Sequence, residues 1–323
     1  MASPRSGISI YKCLSPNIST IRHTTSPKTP VRNSLTLEDI FANHKVSPIF
    51  NIDSPYKKKI VNEGFLEQHH TVLGNGAFGT VYKAYYKGKK VAAKIIKSNN
   101  KGIGSVGMER EAAFLRHMNI IKILNVDEGP VLTLITMELC GNSLQNILEE
   151  SSITKHQRIH IWQSIAKALK YCHKMGIVHA DVKPKNVLMG MDDQPKLADF
   201  GSAVFVNDLY IPFDFHGTPG YAAPEVVRGK LPTPLSDIYS LAILAWQMLS
   251  RKPPFAGLHT HTILYLTGKG ITPIDYTLND GFQGKYKDLY KKCWNKQCDE
   301  RLNLLTILKK LKILEINIFK VSF

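Results

Sequence analysis

A C-x-x-C pair is missing from this chain of 323 residues. Its five cysteines (Cys13, Cys140, Cys172, Cys293 and Cys298) are odd in number, and Cys293 and Cys298 have no close histidine partner. That excludes a disulfide scaffold and a zinc clip and points to a reducing compartment, so a cytoplasmic location is expected. Long apolar runs are also missing. The longest, Leu241–Leu249, covers about half a membrane span and reads as a buried helix, so no membrane partner is expected. No apolar core of signal-peptide type occurs near the amino end. Acids are scarce, with 26 Asp and Glu against 42 Lys and Arg for a formal charge of +16. Yet no basic block exceeds Lys57-Lys58-Lys59, and no zinc or RNA-binding signature accompanies it. The charge therefore reads as a solvated lysine-rich surface, and no nucleic-acid partner is expected.

What is present divides the chain in two. Residues 1–64 carry Ser-Pro or Thr-Pro at Ser3, Ser15, Ser26, Thr29, Ser47 and Ser54, with no acid before Glu38. Such a composition buries too little apolar surface to offset its ordering entropy, so a largely flexible segment is expected. Leu35–Phe41 is its one candidate amphipathic helix, either a docking segment or a fold-back. From Phe65 the signals become strand-like: Thr71–Leu73, Thr80–Tyr86 and Lys90–Ile96 are rich in β-formers, and Lys87-Gly88-Lys89 reads as a hairpin connection. Met108–His117 is helix-like. Apolar runs follow at Ile120–Leu124 and Val131–Met137. Beyond Gly141 the pattern is mainly helical, with Thr154–Met175 ending at Gly176, a natural helix stop. Five strands with one helix, then mostly helices, predict an α+β fold of two lobes. No internal repeat is visible.

The chemistry concentrates in a few motifs. His179-Ala-Asp-Val-Lys-Pro-Lys-Asn186 and Asp199-Phe-Gly201 offer Asp181, Asn186 and Asp199 as oxygen donors beside Lys183. Such hard oxygens suit Mg²⁺ held together with phosphates, and a carboxylate beside a metal ligand suits phosphoryl transfer. Gly74-Asn-Gly-Ala-Phe-Gly79-Thr-Val81 is a glycine turn between strands, where missing Cβ atoms let backbone approach phosphate oxygens. Alone it is equally a plain hairpin, and its strand–turn–strand setting excludes a dinucleotide fingerprint. Lys94 ends the strand Val91-Ala-Ala-Lys94. Alone it is an ordinary edge charge, but a helix-borne glutamate follows. Glu109 is favoured as its partner because Ala112, Ala113 and Leu115 then face inward; Glu111, on another face, is the alternative.

Taken in order, these motifs resemble those of the eukaryotic protein kinases, over roughly residues 65–318. The resemblance implies a kinase domain with an N-lobe of 65–138, a hinge of 138–142 and a C-lobe of 143–318. It implies ATP and Mg²⁺ as cofactors, with Asn186 and Asp199 as metal ligands and Asp181, Lys183 and Lys94 as catalytic groups. Nucleotide contacts would come from Leu73, Gly74, Asn75, Gly76, Ala77, Phe78, Gly79, Thr80, Val81, Ala92, Lys94, Glu109, Met137, Glu138, Cys140 and Leu188. Of these, Met137 would be the gatekeeper, and Leu73, Val81, Ala92 and Leu188 an apolar slot for the base. Gly217–Glu225 resembles the end of an activation segment. Asp237 resembles the buried anchor of the catalytic loop, and Arg301 is placed to pair with Glu225.

Lys183 two positions after Asp181, with Thr218 ahead of Ala223-Pro224-Glu225, is the serine/threonine form. Ser236–Met248, Lys252–Gly257 and His261–Tyr265 are similar to the Mos branch of MAP kinase kinase kinases, which act in germ-cell meiosis. That resemblance implies a protein substrate, a MAP kinase kinase, and a monomer; proline-directed kinases are candidate modifiers of the first 64 residues. Ala180 departs from the family, whose usual Arg there binds a phosphorylated activation loop. Control independent of that contact is expected. A pseudokinase scaffold would lack Lys94, Asp181, Asn186 or Asp199. A small-molecule kinase would not need the Gly217–Glu225 platform, and a nucleic-acid binder has only net charge in its favour.

Overall fold

The computed structural model describes residues 50–53, 56–64, 71–76, 79–97, 105–206, 217–275 and 281–321, all within one compact unit, Ser47–Phe323. Cys13, the Leu35–Phe41 helix, all six Ser/Thr-Pro positions, Phe65, Ala77 and Phe78 lie outside the described residues.

The small lobe is a twisted sheet with one helix against its inner face. Its strands are β1 (Phe50–Asn51), β2 (Val72–Gly76), β3 (Gly79–Tyr86), β4 (Lys89–Lys97), β5 (Ile123–Glu128) and β6 (Leu132–Glu138). They run in the order β1-β3-β4-β6-β5, with β2 on β3. Lys87 and Gly88, both at positive φ, make the tight β3–β4 turn whose backbone twist matches the strands it joins. β4 is buried from Val91 to Ile96 because both of its faces are covered. Alternation decides which side chain goes where. Val91, Ala93 and Ile95 join an outer cluster, whereas Ala92 and Ile96 join the main core with Met108 and Ala112 of helix α2 (Ser105–Ala112). Lys94 must therefore point inward, toward α2.

The cover of the outer face corrects the expected boundary at Phe65. Helix α1 (Tyr56–Glu63) and β1 put Ile52, Ile60 and Val61 against Ala84, Val91, Ala93, Ile95, Leu132 and Leu134. β1 runs parallel to β3, Ile52 N donates to Tyr85 O at 2.9 Å, and Lys57 pairs with Asp127 at 2.7 Å. Both Asp53 carboxylate oxygens also accept from Lys87 N at the hairpin turn. The lobe thus starts within the segment that composition assigns to a flexible tail. The sheet requires an apolar cover, and three aliphatic side chains supply it.

Helix α2 ends at Ala112, short of the His117 that periodicity predicts. Phe114 N bonds Glu111 O and Leu115 N bonds Ala112 O, so the chain tightens into shorter-range turns that swing Leu115 into the core.

The large lobe is helical. Its helices are α3 (Leu144–Glu150), α4 (Lys155–Lys174), α5 (Pro224–Val227), α6 (Pro234–Ser250), α7 (Thr260–Gly268), α8 (Gly281–Cys293) and α9 (Leu304–Val321). Capping boxes at Thr154/Gln157 and Thr233/Ser236 start α4 and α6, satisfying otherwise orphaned amides. The apolar run of α6 is buried from Leu241 to Met248, as expected. Trp162 of α4 meets Tyr286 of α8 edge-on at 5.0 Å, and Ile307 and Leu311 of α9 close the core. Short strands β7 (Ile177–Val178), β8 (Val187–Met189), β9 (Pro195–Leu197) and β10 (Val204–Phe205) carry the loops between the lobes. No described helix is long and apolar enough to cross a membrane.

If α1 is part of the lobe, Ile60→Ala costs about 2–5 kcal/mol, whereas Lys57→Ala on the partly exposed pair costs below about 1 kcal/mol. Urea unfolding of the whole chain checks both, and equal midpoints for the two variants would refute the docking of α1.

Candidate active site

Lys94 enters the space between the lobes from the inner face of β4. Its ammonium lies 2.7 Å from Glu109 Oε1 on α2 and 2.8 Å from Asp199 Oδ1, which follows β9. Glu109 is buried and Glu111 exposed, which settles the alternative left open by spacing. Burial alone would lower the Lys94 pKa, but the two carboxylates outweigh it and hold the ammonium charged, above its usual range. Burial likewise opposes ionisation of Asp199, and Lys94 overrides it, holding that carboxyl below its usual range. Glu109, the more deeply buried acid, is pushed up by desolvation despite Lys94. One cation thus serves two acids, and Asp199 is the one held ionised.

Asp199 adopts φ +65, a conformation costly for a residue with a side chain. Phe200 explains how it is held. That ring is wholly buried and packs edge-on against His179 at 4.9 Å, so the carboxylate before it faces the cleft. His179 is fixed in turn: Nε2 bonds Ala198 O at 3.1 Å, and Nδ1 accepts from Asp181 N at 3.3 Å.

Around Asp181 a second cluster forms. One carboxylate oxygen accepts from Lys183 Nζ at 2.7 Å and Asn186 Nδ2 at 3.0 Å, and the other accepts from Thr218 Oγ1 at 2.7 Å. Lys183 also donates to Thr218 at 2.7 Å. Because Asn186 spends its amide nitrogen on Asp181, its amide oxygen remains as a donor to a cation. Beneath the loop, the wholly buried Asp237 of α6 accepts from His179 N and Ala180 N, both at 2.9 Å, and bonds His173 Nε2 at 2.8 Å.

The glycine turn is held at its root. Gly79 has φ +143, and a Cβ there would come within 2.2 Å of Ile95 O, so no other residue fits without displacing β4. Thr80 and Val81 continue β3, with Val81 opposite Lys94. Ala92 stands opposite Met137 across β4 and β6, and Val81, Leu188 and Cys140 pack partly buried against their cluster. Leu73 differs: it is 46% exposed, beside a bulge in β2. In the hinge, Glu138 accepts from Lys122 N at 2.7 Å and pairs with Lys196 at 3.1 Å. Cys140 makes no hydrogen bond to any described residue, leaving its main-chain N–H and C=O open. Burial pushes its thiol up to about 12. An open groove of about 660 Å³ lies beyond the hinge among Ile147, Ile161, Met189 and Met191, away from Lys94.

The platform residues also meet. Arg301 grips both oxygens of Glu225, at 2.6 and 2.8 Å, with Arg301 wholly buried and Glu225 nearly so. Spacing missed the contact of Thr218 with Asp181. The Gly-Thr-Pro-Gly stretch marks the residue, but not where its hydroxyl points.

The arrangement is an oxygen-lined cleft with one buried cation, a glycine turn above and a second lysine beside a carboxylate. The protein kinase domain pattern matches residues 68–311, and that match decides the family. The chain belongs to the protein kinase family. Among its relatives is the serine/threonine-protein kinase mos of Patiria pectinifera, 35% identical over 262 residues, which are 75% of this chain and 73% of that one. The mouse proto-oncogene serine/threonine-protein kinase mos is 28% identical over 74% of this chain and 78% of its own. The carbon catabolite-derepressing protein kinase of Saccharomyces cerevisiae is 34% identical, but its matched part is only 35% of that protein. This kinase departs from the family at Ala180. There φ is +63, and Ala180 packs with Val178 and Val204 into an apolar cluster rather than offering a cation. Gly217, at φ +98, lies so close that a Cβ would be 2.7 Å from Ala180 O.

Arg301→Ala leaves Glu225 buried without its partner, and the expected loss is about 3–5 kcal/mol. Chemical denaturation measures it; a loss below 1 kcal/mol would mean that this ion pair does not hold the platform.

Proposed function

We propose that this kinase transfers the γ-phosphoryl group of ATP to serine or threonine hydroxyls of protein substrates, and that it acts as a Mos-like MAP kinase kinase kinase. The observation that carries the chemistry is Lys94 bound to Asp199 and Glu109 together. It couples the group suited to α- and β-phosphates to the carboxylate suited to Mg²⁺. Asp199, held ionised, and the unused oxygen of Asn186 are hard donors that fit Mg²⁺, which takes few protein ligands and completes its shell with phosphate and water. No cluster of three or more metal-binding side chains occurs among the described residues, as that mode of binding allows. Bound Mg²⁺ would neutralise charge on the phosphates.

The rest is done by this chain's own groups. Asp181, aimed by three donors, accepts or orients the substrate hydroxyl proton. Lys183, at 2.7 Å from Asp181, offsets charge on the transferring phosphoryl group. The open main-chain groups of Cys140 suit the edge of a purine, with Ala92, Val81, Met137 and Leu188 around its faces. Positioning and charge stabilisation are the bulk of catalysis in such a transfer. A MAP kinase kinase as substrate, a role in oocyte meiosis, a cytoplasmic location and a monomeric state are supported by the Mos resemblance and the cysteine usage. Proline-directed kinases are proposed to modify the Ser/Thr-Pro sites before residue 55, and phosphate absent from all six in cells with active enzyme would end that proposal.

Lys94→Met and Asp181→Asn are each expected to abolish transfer to a MAP kinase kinase, measured with radiolabelled ATP. The Lys94→Met chain is expected to stay folded, which urea unfolding beside the wild type checks. Wild-type-like turnover by either variant would defeat the reading.

The apolar cluster of Val178, Ala180 and Val204 offers no charge to a phosphorylated loop residue. Phosphatase treatment is therefore expected to leave activity intact. Activity that vanished and returned only with phosphate on Ser202 or Thr218 would overturn this.

A further inference from the structure

At the back of the cleft the lobes are joined by Lys94 and Asp199, by Asn119 Nδ2 to Pro195 O at 2.9 Å, and by the bridge of Ile120 to Leu197. At its mouth a separate link occurs. Lys185 Nζ donates to Asn75 O at 2.8 Å, across 110 positions of sequence. The two ends of this bond differ in how firmly they are held.

Lys185 lies between the buried Pro184 and the buried Asn186, within the single helical turn Pro184–Asn186. Asn186 is tied to the main chain and side chain of Asp181 at 2.9 and 3.0 Å. The root of the Lys185 side chain is therefore rigid. Among the described residues no carboxylate pairs with its ammonium, so the Asn75 carbonyl is its one described partner.

Asn75 belongs to the weakest element of the sheet. β2 pairs only with β3, carries a bulge between Val72 and Gly74, and buries none of its five residues. An edge strand without buried apolar contacts opens at little free-energy cost. Gly79 locks the β3 side of the hairpin against β4, so freedom is left on the β2 side, where Lys185 holds it.

We propose that Lys185 is a positioning residue that latches Asn75, in the β2 arm of the glycine-rich hairpin, onto the catalytic loop and so slows the escape of bound nucleotide. This rests on the nucleotide reading above. The latch acts on an equilibrium between open and closed hairpin. A single exposed, charge-assisted hydrogen bond shifts such an equilibrium by about 3–10-fold.

The test compares wild type, Lys185→Met and Lys185→Arg in the full chain. Without nucleotide, amide hydrogen exchange is read across Gly74–Val81. With nucleotide, stopped-flow release of a fluorescent ADP analogue is read beside the KM for ATP and kcat. For Lys185→Met the latch predicts faster exchange in the hairpin alone, about 3–10-fold faster ADP release and a similar rise in KM, with kcat not lowered. Lys185→Arg, which keeps a donor, should recover most of each effect. Unchanged hairpin exchange and unchanged ADP release in Lys185→Met would overturn the latch. So would a collapse of kcat with normal release, because Lys185 would then act on the transfer and not on the hairpin. A wild-type chain that bound no nucleotide would sink the proposed function instead, and the nucleotide-free exchange would still decide whether Lys185 holds the hairpin.

Discussion

A single buried ammonium organises the cleft. Lys94 comes from the sheet, Glu109 from the helix packed on it and Asp199 from the large lobe, so one ion triad ties three separately folded pieces together. Two acids share one base, and they differ in burial: Glu109 is enclosed, whereas Asp199 faces the cleft with 31% of its side chain exposed. The outcome is asymmetric: Glu109 is pushed toward protonation and Asp199 is held ionised. Glu109 therefore serves to aim Lys94, and Asp199 keeps the charge that a divalent cation needs. The triad alone is a poor source of stability, since each buried charge gives up its hydration. Its worth lies in fixing the spacing between the Lys94 ammonium and the Asp199 carboxylate.

Legibility followed the reach of each signal. The run Val91–Ile96, buried on both faces, carries no sign of which way Lys94 points. Helical periodicity separates Glu109 from Glu111, a rule that acts over a few residues and agrees with the geometry. The strap formed by β1 and α1 was hidden for the opposite reason. Only Ile52, Ile60 and Val61 carry it, set among serine, proline and lysine, and their value depends on a sheet face made far along the chain. Contacts spanning 37 positions, as between Thr218 and Asp181, or 110, as between Lys185 and Asn75, leave no local trace at all.

Part of the backbone strain lies where the chemistry is. Ala180 and Asp199 are two of the few non-glycine residues at positive φ, and they flank the catalytic loop and the start of the activation segment. Each is held by neighbours that over-determine it. Asp237 captures the amides of His179 and Ala180, and the buried Phe200 locks the turn after Asp199. Such strain persists only when the surrounding packing supplies the compensation. Here that support is a wholly buried carboxylate on α6, so the helical core and the catalytic loop share one interaction.

Ala180 takes its significance from this frame. A residue held at positive φ by Asp237 through its amide does not need its side chain to stay in place, so the position is free to change chemically. With alanine there, the gap fills with Val178 and Val204, and the start of the activation segment is secured by the β7–β10 pairing and apolar contact. A cation there would offer a partner to a phosphate; the apolar cluster offers none, and it pins only the described start of the segment at Val204. What remains adjustable is the mouth of the cleft, where β2 buries nothing and the described structure shows one lysine holding it. The back of the cleft is thus tied by buried groups, and its mouth by one exposed hydrogen bond.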